Sequence, residues 1–574
     1  MRIKEILSEQ VLLYLFLILV ILNFNGCQNQ NDEPYVTSLQ SNYDVEYYDI
    51  FMEIDPYKNR FNSSQIITIS PLERSKQIIF ELHEDLDIIG IEVTELNGSQ
   101  IPVQEWKFLQ TITSDRGNEI EKFSRYEIQL NQEVSVGNSL KLHIEFAINP
   151  SKINSNGGNE LLKFAVTNNG SRALHPISGF FPIFGNNVAA PFIFEVIYPS
   201  GNHPCIPGNS ISKTEQGEYV SQVFESVKSR IPVFYIGPGQ LIERNKENLS
   251  VNFHLADGQS FKEEIADETF DLIKLFNQTF GNPETNDYRI AFLPLANSSI
   301  TGESKGNAIY FALRNQNDFS WNEEGELNFL NLISHEFFHN WNLWNTPWQG
   351  KYYEWFVEGG AGFISAWANE KTLGSYAGSI IRKDFVESFI KNKGYNASKT
   401  LKNAQKSTAS ERSLIYSYGA LVWEQLRRKI GDEAFFTGLG EFFSNSGSKI
   451  NDYNYLVSVL QKYTEISVKD FLNNWVSQNV KIDLSIAEVN TITTNNVYET
   501  TVILNSNSES NFEIYSSIGY KTSQMGEVTI IPIHLNSQGG KQITFASENE
   551  PIFIQLDYEY YIPQIDLSND VWTS

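Results

Sequence analysis

His335-Glu336-Phe337-Phe338-His339 sets two imidazoles four residues apart, with a carboxylate next to the first. On a helix this spacing puts both rings on one face, one turn apart, so both can reach a single cation. Glu336 then lies beside that cation without ligating it. Zinc favours nitrogen and carboxylate ligands, and a catalytic zinc keeps its fourth position open for water. A third protein ligand is therefore needed. Glu358 follows His339 after 18 intervening residues, in Trp355-Phe356-Val357-Glu358-Gly359-Gly360. The ligand set expected from these residues is His335, His339 and Glu358, holding one Zn2+ per chain.

Two helices must position such a set. The first is predicted over Leu327 to Trp341 and the second over Glu354 to Ala368. The intervening residues, through Asn345-Thr346-Pro347, are long enough to end one helix, turn, and bring the other back beside it. Upstream, Phe270, Ile273, Phe276 and Phe280 recur at helical spacing and Gly281 ends the run, which predicts a helix over Glu268 to Phe280. Tyr288 to Leu295 and Ala308 to Leu313 read as buried strands. Further helices are predicted over about Tyr418 to Ile430, Asp432 to Phe443 and Tyr453 to Tyr463.

These motifs resemble the gluzincin metallopeptidases, above all the aminopeptidase N superfamily. Trp355-Phe356-Val357-Glu358-Gly359 is similar to that superfamily's Trp-Leu-Asn-Glu-Gly signature, and the 18-residue gap matches its spacing. His335-Glu336-Phe337-Phe338-His339-Asn340-Trp341-Asn342 also resembles the HEFFHxWN motif of the glycyl aminopeptidase family. The resemblance implies that Glu336 is the general base. Ile415-Tyr416-Ser417-Tyr418-Gly419-Ala420 is similar to the Tyr-x-x-Gly-Ala stretch of these peptidases, which places Tyr416 at their catalytic tyrosine, with Tyr418 as the alternative. Their exopeptidase loop, Gly-Ala-Met-Glu-Asn followed by a residue and Gly, aligns on Gly306 and puts Glu303 where the family binds the substrate α-amine. The implied architecture is multidomain α+β: an N-terminal antiparallel β domain, a thermolysin-like α+β catalytic domain and a C-terminal β-sandwich.

The rest of the chain fits this organisation. Short β-branched and aromatic segments run from Val45 to Leu140 and beyond, separated by turn formers such as Asn97-Gly98 and Gly137-Asn138. Strands return after Ile482. The expected division is a signal peptide over 1–26, a tether over 27–42, the N-terminal β domain over 43–255, the zinc domain over 256–480 and the sandwich over 481–574. At the amino terminus Arg2 and Lys4 precede an unbroken apolar run of 12 residues, Val11 to Leu22. That suits an export signal better than a bilayer span, which needs about 20 residues. Phe24-Asn25-Gly26-Cys27 resembles a bacterial lipoprotein processing site. It implies cleavage before Cys27, a lipid on its thiol, membrane attachment by that lipid anchor, and a place in the bacterial cell envelope. The other cysteine is Cys205, so there is no disulfide framework.

Apolar residues make up 41% and charged residues 20% of the chain, a globular balance, and the formal charge is -26. Nucleic acid and anionic membrane surfaces attract basic proteins, so neither is the expected partner. Peptides are. The sequence supports an aminopeptidase, with two rivals: an endopeptidase on the same machinery, in which Glu303 is only a loop residue, and a non-catalytic surface-binding lipoprotein.

Overall fold

The computed structural model describes residues 41–574 except 117–118, 149–164, 168–169, 174–179, 186–188, 257–260, 283–285, 295–300, 314–321, 347, 447–450, 479–480, 508–512, 537 and 539. The export segment and Cys27 lie outside the described residues. Among the described residues no helix is long and apolar enough to cross a membrane. The chain divides into two compact units: one comprises Met1–Ala266 with Glu284–Trp321, the other Asp267–Pro283 with Asn322–Ser574.

The first unit is built on strands whose side chains alternate between core and solvent. In Leu140–Ile148 the residues Leu140, Leu142, Ile144, Phe146 and Ile148 are buried, and the intervening ones are half-buried or exposed. That period of two marks a strand with one face on a core. This strand belongs to a seven-stranded sheet that also contains Tyr43–Asp55, Arg60–Pro71 and Ala190–Pro199. Its pairings are antiparallel except for Tyr43–Asp55 with Ala190–Pro199, which run parallel. Phe180, Phe181 and Phe234 meet edge to face in its core, with Phe180 5.0 Å from each of the other two rings. A five-stranded mixed sheet, Gln240–Lys246, Leu249–Leu255, Asp287–Pro294, Ala308–Leu313 and Thr301–Ser304 in spatial order, belongs to the same unit.

The second unit carries the helices. Glu323–His339 begins at Asn322, whose side chain accepts from the Gly325 amide, and its first turn holds Glu323, Glu324 and Glu326, which suit the positive end of the helix dipole. Behind it, Phe276, Phe280, Phe338, Trp341 and Phe443 form an aromatic core with ring separations of 5.3 to 6.4 Å. Helices Ser375–Lys391 and Val468–Val476 were not foreseen; the first is polar on much of its surface and shows little periodicity. Two small sheets follow. One contains Leu484–Thr494, Val497–Ser506 and Lys541–Ser547; the other contains Glu513–Lys521, Thr529–Asn536, Phe553–Leu556 and Val571–Thr573. Tyr520 stacks on Phe545 across them at 4.4 Å. Gln425, fully buried on helix Gly419–Ile430, exchanges hydrogen bonds with the Tyr515 backbone at 2.8 and 2.9 Å, fastening helix to sheet.

Candidate metal centre

Three side chains of the second unit converge. His335, His339 and Glu358 are all buried, and each offers a ligand atom within 4.8 Å of the other two. His335 Nε2 lies 3.1 Å from Glu358 Oε2, and His339 Nε2 lies 3.8 Å from the same oxygen. Tetrahedral zinc with bonds of about 2.0–2.2 Å separates its ligand atoms by about 3.3 Å, so these spacings suit it. The donor set of two imidazoles and one carboxylate is that of a catalytic zinc with an open position. His339 Nδ1 donates to Asn342 Oδ1 at 3.1 Å, which leaves Nε2 as the lone-pair nitrogen facing the site.

Electrostatics favour the ligating, ionised form of Glu358. Burial alone would raise the Glu358 carboxyl, but the Lys406 ammonium, the His335 hydrogen bond and the two imidazoles hold it well below the usual carboxylate range. Burial would lower His335, yet Glu358, by hydrogen bond and charge, outweighs it and raises its pKa. Glu336 is buried next to His335 on the same helix.

The backbone here is irregular. Asn340–Trp344, Trp355–Gly359 and Leu414–Tyr418 are all π-helical turns. The first follows His339, the second contains Glu358 and the third contains Tyr416. Inserted π turns recur at functional sites because they turn side chains off the regular helical face. Glycines let the second and third turns touch: a methyl on Gly359 would lie 3.1 Å from both the Gly419 carbonyl carbon and the Ile415 oxygen. Trp355 locks the contact, stacking on Trp423 at 4.5 Å and donating from Nε1 to the Gly419 oxygen at 3.2 Å. The Tyr416 ring consequently lies near-parallel to His335, 6.1 Å away. Tyr418 points elsewhere: it is fully buried and its hydroxyl donates to the Trp475 carbonyl at 2.7 Å.

Asn342 and Lys406 are the residues that sequence reasoning did not assign. Besides orienting His339, Asn342 donates to the Phe356 and Val357 carbonyls at 3.1 and 2.7 Å, tying the first imidazole-bearing helix to the turn that carries Glu358. Its signal was present as the last letter of the HEFFHxWN-like stretch. Lys406, discussed below, had none. Glu303 lies in the other unit, on Thr301–Ser304, where it is buried and ion-paired with Lys305.

This geometry defines a gluzincin-type zinc site. Residues 267–475 match the model of the peptidase family M1 domain. The fold agrees with solved structures. An M1 zinc metallopeptidase from Deinococcus radiodurans is 17% identical, with a TM-score of 0.56 over 76% of this chain and 95% of that one. A variant of the Deinococcus radiodurans enzyme bound to a Tyr-Ser-Ala substrate gives 17% identity and a TM-score of 0.56 over 77% and 95%. A two-domain M1 zinc metallopeptidase variant bound to L-arginine gives 17% and 0.57 over 77% and 95%. A search of curated proteins gives no match.

Proposed function

We propose that the protein is an aminopeptidase that releases the first residue of peptides. The observation that carries this reading is the convergence of His335, His339 and Glu358 beside Tyr416 and Glu336. His335, His339 and Glu358 would hold zinc, which when bound would supply Lewis-acid activation of water and of the scissile carbonyl. Glu336 takes a proton from the attacking water and returns it to the nitrogen of the leaving amine as the carbon–nitrogen bond breaks. Tyr416 donates its phenolic hydrogen to the carbonyl oxygen as negative charge builds there. Glu303 receives the substrate's α-ammonium through a charge-assisted hydrogen bond, which fixes cleavage to the first bond. The tripeptide and the single amino acid held by the two solved relatives support a site of this kind.

One observation favours the endopeptidase alternative: Glu303 already has a cation, Lys305, on its carboxylate. The experiment that separates the two is a panel of free-amine and N-acetylated peptides, run on zinc-loaded protein and on Glu303→Ala. The aminopeptidase reading expects blocked peptides to be poor substrates and Glu303→Ala to penalise free-amine peptides selectively. Equal cleavage of both classes, with no loss in Glu303→Ala, leaves an endopeptidase. The reading also includes anchorage in the bacterial envelope by a lipid on Cys27, supported by the apolar run Val11 to Leu22 and the Gly26-Cys27 that follows it. Mass spectrometry of the mature amino terminus tests it: a lipidated Cys27 is expected, and an unmodified terminus elsewhere removes it.

A further inference from the structure

Lys406 lies in an irregular stretch between the 3-10 turn Gly394–Asn396 and the short helix Ala409–Ser413. Its ammonium is 2.8 Å from Glu358 Oε1 and 3.5 Å from Glu354 Oε2, and its side chain is only 5% exposed. It also stands 5.7 Å from the centre of the Tyr416 ring. Burying an ammonium costs several kcal/mol unless the surroundings return it, so a lysine persists here only because both carboxylates face it. Its stretch is pinned as well. Arg412 donates to the Lys406 carbonyl at 3.0 Å, and the buried Glu411 accepts from Ser398 and Ser407 at 2.9 and 2.6 Å.

The two oxygens of Glu358 therefore have separate surroundings. Oε2 faces both imidazoles; Oε1 faces Lys406. A carboxylate can bind a metal through one oxygen or two. Through two, it would occupy the position that a catalytic zinc reserves for water and substrate. We propose that Lys406 is a positioning residue that holds Oε1 away from the metal, keeps Glu358 a one-oxygen ligand and so preserves the open position. This inference rests on His335, His339 and Glu358 holding the metal, and its test reads the two claims apart.

The experiment loads metal-free protein with Co2+ in place of zinc and records its visible spectrum for wild type, Lys406→Met, Lys406→Gln and Lys406→Arg. Wild type should show the intense bands of four-coordination. Lys406→Met frees Oε1 and should show the weaker bands of five-coordination. Lys406→Gln keeps a neutral donor to Oε1, and Lys406→Arg a charged one; both should stay four-coordinate, and Lys406→Leu, which also frees Oε1 and should be five-coordinate, replaces the methionine variant if that one does not fold. On the zinc enzymes, kcat of Lys406→Met should fall about 10- to 100-fold, the usual effect of losing a residue that orients a ligand, with KM little changed. Wild-type protein that takes up cobalt, with folded Lys406 variants that all match its spectrum, Lys406→Met or Lys406→Leu among them, would overturn the role of Lys406 and leave the metal site standing. Five-coordinate spectra in Lys406→Gln and Lys406→Arg would overturn it equally. Failure of the wild type to take up cobalt removes the metal site itself.

Discussion

Two clusters in the second unit each surround a buried carboxylate with charge, and they differ in what they do with it. One is the His335, His339, Glu358 and Lys406 group. The other joins Glu424, Arg427, Arg428 and Asp432. There, Glu424 accepts from Arg428 Nε at 2.7 Å and from Arg427 at 3.2 and 3.3 Å, and Arg427 forks onto both Asp432 oxygens at 2.8 and 3.0 Å. Both clusters hold a carboxylate against burial. Glu424 is pushed down to about 2, because Arg427, Arg428 and Arg382 outweigh its desolvation. Burial and a displaced pKa therefore do not distinguish catalysis from architecture here. Geometry does. Glu424, Arg427 and Arg428 sit at i,i+3 and i,i+4 on the regular helix Gly419–Ile430, Asp432 opens the next helix, and their donors and acceptors answer each other. In the histidine cluster three ligand atoms face one point, with His339 directly before one π turn and Glu358 inside another.

Breaking one carboxylate in each cluster sharpens the contrast most. Glu336→Gln should fold and keep its metal but lose about 10²- to 10⁴-fold in kcat, the contribution of a general base. Glu424→Gln should do the reverse: kcat held at temperatures where the protein is folded, and stability lower by about 3–5 kcal/mol for a buried ion pair broken on one side. Chemical denaturation and steady-state kinetics on both variants measure this, and a fall in kcat shared equally by the two would erase the distinction.

The neighbouring tyrosines offer the same contrast inside one turn. Tyr416→Phe should lower kcat by about 10²- to 10³-fold, as expected for one lost oxyanion donor, with zinc affinity unchanged. Tyr418→Phe leaves the Trp475 carbonyl without its donor and should cost about 1–3 kcal/mol of stability with kcat intact. If kinetics show the larger drop in Tyr418→Phe, the roles are reversed.

Asn342→Ala should weaken zinc binding about 10- to 100-fold, since it releases His339 and the Glu358 turn together. Competition with a chromophoric chelator reads the affinity directly; an unchanged affinity would leave Asn342 a packing residue.

The smallest effect is in the pH profile. The Glu424 pKa is lower in the folded protein than its ordinary 4.5. Its contribution to stability is therefore present above pH 4.5 and is lost as pH falls from there toward about 2. The unfolding midpoint of wild type should fall more steeply across that window than that of Glu424→Gln. Parallel profiles would assign the acid sensitivity to other groups.

The zinc ligands were legible because their chemistry demands spacing that helices make periodic. His335 and His339 need one turn, and Glu358 needs a second helix close by. Tyr416 was singled out only through its resemblance to a known stretch, since periodicity cannot tell it from Tyr418; in the structure the Tyr416 ring lies beside His335, and the Tyr418 hydroxyl donates to the Trp475 carbonyl. Lys406 was not legible. It reaches Glu358 across 48 residues from a stretch without periodicity, and nothing in its letter distinguishes it from a solvated lysine. The π turns were hidden too: only Trp355–Gly359 falls wholly inside a predicted helix, and an apolar pattern there does not tell a π turn from an α turn. In the first unit the alternating strands were readable one by one. The grouping of Asp287–Pro294 and Ala308–Leu313 with the N-terminal strands was not, since it depends on non-local pairing such as Val251 with Tyr288.

The central claim is the metal site, and metal analysis of purified protein tests it most directly. The account predicts one zinc per chain in wild type and its loss in His339→Ala, with a chelator abolishing activity and added zinc restoring it. Wild-type protein without stoichiometric metal, or zinc that His339→Ala does not disturb, would contradict it.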